Sequence, residues 1–62
     1  MYYVLLTHKK EKLYLKYPSI TYEPINKATH FDENFYNYHK TNVSRSSIWI
    51  RINDDGSKEK ML

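Results

Sequence analysis

Four side chains able to ligate a metal, His30, Asp32, Glu33 and His39, fall within ten positions of one another. Zinc asks for about four ligands converging on one point. A helix beginning near Asp32 carries His39 about two turns along and away from His30, so the histidines read as surface or partly packed residues and no metal is expected. The adjacent carboxylates Asp32–Glu33 and Asp54–Asp55 could exchange protons. Each pair lies beside a predicted helix start or turn, however, where such residues have local structural work. General acid–base chemistry also requires a cleft that shifts a pKa, which a small sheet with one helix seldom encloses. Ser44, Ser46 and Ser47 are nucleophiles by type alone, since no strained strand-to-helix turn presents any of them. A lone glycine excludes Gly-rich phosphate loops, and the absence of cysteine removes disulfides, thiolate metal sites and cysteine nucleophiles. The expectation is a chain that is not an enzyme, with no catalytic residue, no cofactor and no metal.

Binding chemistry is better represented. Tyr3, Tyr14, Tyr22 and Trp49 can be drawn on one sheet face, with Lys16 following Tyr14 and Arg51 following Trp49 at strand spacing. Aromatic side chains give large contact area at small entropic cost, so Tyr3, Tyr14, Lys16, Tyr22, Trp49 and Arg51 form the candidate partner-binding set for a protein-binding module. Such a surface, or a bare strand edge, would also serve homodimerisation, which relieves a thin core. The alternative is a single-stranded nucleic-acid binder that stacks bases on the same rings. Its rim would draw on Lys9, Lys10, Lys12, Lys16, Arg45 and Arg51. A formal charge of +3, with only two arginines among ten cations, argues less strongly for that alternative.

A chain of 62 residues reads as one small domain, residues 1–62, whose core rarely supplies more than about 3–5 kcal/mol. No apolar run exceeds Val4-Leu5-Leu6, far short of a membrane span, and no basic-then-apolar leader opens the sequence. A cytoplasmic protein without membrane contact is therefore expected. The abundance of Lys, Tyr, Ile and Asn suits an AT-rich genome. Together with small size and the lack of a site, it suggests a viral accessory protein or inhibitor that modulates a host protein.

The elements that must position these residues follow from periodicity. Ser47–Asn53 is the clearest strand, with Ile48, Ile50 and Ile52 on one side and Trp49 and Arg51 on the other. Met1–His8 is apolar on both faces and suits an inner strand. After the polar pause at His8–Lys12, Leu13–Tyr17 completes a hairpin. Pro18 ends that strand, Pro18-Ser19 turns, and Ile20–Glu23 makes a short third strand before Pro24. Ile25–Ala28 crosses the sheet. One helix is predicted, from Asp32 to His39 or Lys40. Its apolar stripe is Phe31, Phe35 and Tyr38, with Asp32 as N-cap and a Phe31/Tyr36 hydrophobic staple; Thr29 is a competing cap. Lys40–Ser47 is loop, and Gly56 offers a positive φ to the Asn53–Gly56 turn. Ser57–Leu62 is a short returning strand or a frayed tail; fraying is preferred for Lys58–Lys60, with Met61 and Leu62 docking. The sum is an α+β fold: a three- or four-stranded, mostly antiparallel sheet with the helix across one face and the aromatic set on the other.

Overall fold

The computed structural model describes residues 1–61. Five strands form one antiparallel sheet: β1 (Tyr2–His8), β2 (Leu13–Lys16), β3 (Thr21–Glu23), β4 (Ile48–Ile52) and β5 (Lys58–Met61). Their order is β3-β2-β1-β4-β5, which puts the doubly apolar β1 in the middle. One helix, α1 (Glu33–His39), lies between β3 and β4 in sequence. The fold is therefore α+β, with five strands where three or four are expected. The additional strand is β5, in the segment expected to fray. Its residues are polar, but pairing gives each a partner: Glu59 faces Arg51, Met61 faces Trp49, and Lys58 and Lys60 face Ile52 and Ile50. An ion pair, an apolar contact and two lysine stems over isoleucines hold a strand that composition alone does not suggest. The expected docking of Leu62 lies outside the described residues. No helix among them is long and apolar enough to cross a membrane.

Strict alternation divides the core into two layers. Val4, Leu6, Tyr14, Ile50 and Ile52 are buried on one side with Ala28, and Ile25 packs against them. Ile25 opens the 3-10 turn Ile25–Lys27 and Ala28 caps it, in the segment expected to cross over the sheet. Tyr3, Leu5, Phe31 and Trp49 are buried on the other side, beneath Phe35 and Tyr36 of α1.

The chain changes sides where the first hairpin splays. β1 and β2 pair only near their turn, at Leu6–Tyr14 and His8–Leu13. At the open end the segment Thr29–Phe31 occupies the gap. Phe31 exchanges two 2.8 Å backbone hydrogen bonds with Tyr3. Thr29 serves β2: its amide donates to the Leu15 carbonyl, and its hydroxyl accepts from the Tyr17 amide at 2.7 Å and donates to the Tyr17 carbonyl at 3.1 Å. Backbone groups freed by the splay are thus satisfied, and Phe31 is delivered to the side that α1 covers.

The Asp32 cap forms as expected, its carboxylate accepting from the Phe35 amide at 2.8 Å. The predicted stripe is corrected at one position. Tyr38 is 76% exposed, while Phe35, Tyr36 and His39 turn inward. At about 100° per residue, 35, 36 and 39 share an arc of about 100° that leaves 38 about 60° outside it. Gly56 adopts φ +88° in the β4–β5 turn, whose Asn53–Ser57 and Gly56–Asn53 backbone bonds close it.

Candidate functional site

The aromatic set is not one open surface. Tyr3, Tyr22, Trp49 and Arg51 lie on the α1 side, whereas Tyr14 and Lys16 lie on the opposite side, as register and alternation require. Tyr3 and Trp49 are 2% and 4% exposed. Tyr3 stacks on Tyr36 with centroids 4.2 Å apart, and Trp49 meets Phe31 and Tyr36 edge-on at 5.6 and 5.4 Å. The expectation of bare rings opposite the helix is therefore corrected: the helix settles on the rings. Aromatic faces and edges give a seven-residue helix more contact than the isoleucines opposite could, and Phe31, fixed to Tyr3 by backbone bonds, anchors the arrangement.

Arg51 is engaged as well. Its guanidinium donates to Glu59 across the β4–β5 pair, and the hydrogen bond to Glu59, then that to Tyr3, hold its pKa above the usual arginine value. Tyr14 is buried in the core, and Lys16 is exposed opposite Thr21. Of the predicted set, Tyr22 and Lys16 remain open to a partner, on opposite sides of the sheet. The histidines are spent on rings: His30 stacks on Tyr2 at 3.8 Å, and His39 lies 4.3 Å from Phe35. Among the described residues, no three His, Cys, Asp or Glu side chains gather as a metal site would need.

Around Tyr22 the structure opens a cleft of about 310 Å³ between the β2–β3 hairpin and the loop after α1. Leu15 and Trp49 are on its floor side, and Tyr17, Ile20, Tyr22 and Val43 complete its apolar lining. No carboxylate, lysine or arginine lines it, and His39 is its only titratable imidazole. Tyr22 is 46% exposed, with its ring edge against His8 at 4.8 Å. Ile20, 55% exposed, sits at φ +55°. For a β-branched residue that is an outlier costing about 1–2 kcal/mol, and its exposed side chain recovers little of it within the chain.

Tyr17 and Ile20 lie outside the predicted set because the sequence pattern places Tyr17 at the end of the second strand and Ile20 in the third. The Tyr-Pro-Ser-Ile spacing was the available signal, since a residue straight after a Pro-Ser turn can be left pointing outward. Compared with protein-family models, with curated proteins and with solved structures, the chain matches none.

Proposed function

We propose that this chain is a non-enzymatic protein-binding module whose partner lays an extended, uncharged segment along β3 and sets apolar side chains into the adjoining cleft. Strained Ile20, held exposed at the mouth of that cleft, is the observation that carries the reading. Strain in a folded chain persists where the surroundings impose it, and it concentrates at clamps and binding sites. The two edges of the sheet differ in the same sense. Lys58, Glu59 and Lys60 place three charges on β5, a common guard against strand addition, while β3 carries one, Glu23, beside Thr21 and Tyr22, and has no outer neighbour among the described residues. Main-chain bonds to an edge supply affinity in such complexes, and pockets for alternate side chains supply selectivity. A neutral cleft suits apolar residues rather than phosphates. A small inhibitor or accessory protein that occupies a host protein's exposed strand fits this surface, as does a second copy pairing β3 with β3.

The test is selection from a displayed library of random peptides, with the winners mapped by amide shift perturbation. Expected are uncharged, β-branched sequences that move the amides of Thr21–Glu23 and Val43, with Tyr22→Ala weakening them about tenfold or more. Absence of enrichment, or shifts confined to other surfaces, would refute the proposal. Light scattering at high micromolar concentration separates the two occupants, because only self-pairing doubles the mass.

A further inference from the structure

We propose a second docking surface, on the side of the sheet away from α1, that takes an acidic segment of a partner protein. A groove of about 360 Å³ runs there over Leu6, Tyr14, Ile48 and Ile50. Four lysines stand around it, Lys9 and Lys12 from the first hairpin and Lys58 and Lys60 from β5. They come from opposite ends of the chain and meet only because β1 and β4 bring the hairpin and β5 to one side of the sheet.

Among the described residues no carboxylate is paired with them. The ion pairs among the described residues are Met1–Asp54 and Arg51–Glu59, neither of which uses a lysine. Glu11 and Glu23 occupy the neighbouring loop and strand, but no carboxylate lines the groove. Half of the eight lysines thus gather around one apolar strip, without an ion pair among the described residues. Like charges held together in this way favour an anionic occupant. Lys12 adds an independent sign. It holds φ +58°, a conformation that Asn or Gly takes at lower cost, so lysine stands there against local preference.

The floor decides which anion. Phosphate backbones need cations and ordered water, and single strands need open rings for stacking. The one ring here, Tyr14, is buried in the core, and no arginine lines the groove. A polypeptide with carboxylates beside apolar side chains matches both rim and floor. This surface is separate from the β3 cleft and does not depend on it, so one chain can hold two segments at once.

Fluorescence anisotropy of a labelled peptide alternating Glu and Leu tests the inference, with a Gln-for-Glu peptide and an oligothymidine of similar length as the other probes. Expected is binding of the Glu peptide that weakens about tenfold or more between about 50 and about 300 mM NaCl. The Gln peptide should not bind. Lys58→Gln with Lys60→Gln, and separately Lys9→Gln with Lys12→Asn, should each weaken the Glu peptide about tenfold. Lys27→Gln with Lys40→Gln, equal in charge but outside the groove's lining, should leave it unchanged. Circular dichroism confirms that each variant is folded; the Lys9/Lys12 pair leaves β5 untouched and Asn suits position 12. Failure of the Glu peptide to bind at low salt overturns the proposal. So does equal binding of the Gln peptide, tighter binding of the oligonucleotide, or an equal loss in the Lys27/Lys40 control.

Discussion

Replacing Ile20 with asparagine should leave the fold as stable as before, or more so, while weakening partner binding. Two terms oppose each other. Asn enters the left-handed region at little cost, so the change recovers about 1–2 kcal/mol of backbone strain. Ile20 is 55% exposed. Less than half of the roughly 1.5–3 kcal/mol that full burial of an isoleucine contributes is therefore forfeited, about 1 kcal/mol. The net lies between no change and a gain of about 1 kcal/mol. An isoleucine in an ordinary strand position behaves differently, since a polar replacement there loses burial with no strain to recover. Urea unfolding followed by Trp49 fluorescence reads the difference. With a slope near 1 kcal/mol/M for so small a domain, the midpoint should hold or rise by up to about 1 M. The β3 peptides should meanwhile lose about tenfold in affinity. A destabilisation beyond about 1.5 kcal/mol at unchanged slope would refute the reasoning, because Ile20 would then be contributing packing that the exposed, left-handed geometry denies it.

Other perturbations probe the frame. Trp49→Phe should change stability by no more than about 1 kcal/mol, because the indole Nε1 is buried without a hydrogen-bond partner and its loss offsets the smaller ring; Trp49→Ala should cost about 3–5 kcal/mol and unfold the chain by circular dichroism. Thr29→Val keeps shape but strips the hydroxyl that bridges the Tyr17 amide and carbonyl, and should cost about 1–2 kcal/mol in urea midpoint. Asp32→Ala removes the α1 cap and should cost about 1 kcal/mol, with lost ellipticity at the helix band. Acid should weaken the β4–β5 turn. The Ser57 hydroxyl, then its amide, hold the Asp55 carboxyl below its ordinary 3.8. That contribution is complete above the ordinary value and disappears as pH falls through the lower folded one. Urea midpoints measured below pH ~4 should therefore decline less in Asp55→Asn than in the parent chain.

Much of the frame was legible from periodicity alone. Ile48, Ile50 and Ile52 alternate with Trp49 and Arg51 as read, Asp32 caps the helix, and Pro18 ends β2, where the Tyr17–Pro18 peptide is cis. What escaped depended on pairing across the sheet, which a linear pattern does not encode. The Lys58-Glu59-Lys60 run is unremarkable until Arg51 and two isoleucines stand beside it. Equally, alternation lets Tyr3, Tyr14, Tyr22 and Trp49 be drawn on one face, whereas the register puts Tyr14 on the other, and alternation does not say which side the helix takes. That choice is made by Phe31, through backbone bonds to Tyr3 that no residue type announces.

The separation of rings from lysines bears on what kind of partner this chain can take. Base stacking with phosphate neutralisation requires aromatic faces and cations on one surface. Here Tyr3, Phe31, Phe35, Tyr36 and Trp49 are joined face to face or edge to face beneath α1, and the lysine groove lies through the sheet from them. A nucleotide chain cannot use both without unseating the helix, and that would expose half of a core too small to spare it. An extended polypeptide makes no such demand. At β3 it needs an edge and a neutral cleft, and over Ile48 and Ile50 it needs carboxylates with apolar neighbours. Because the five rings packed at α1 are consumed in holding the fold together, the two docking surfaces proposed for a protein partner are the β3 cleft, which only Phe35 and Trp49 of them line, and the lysine groove, which none of them lines.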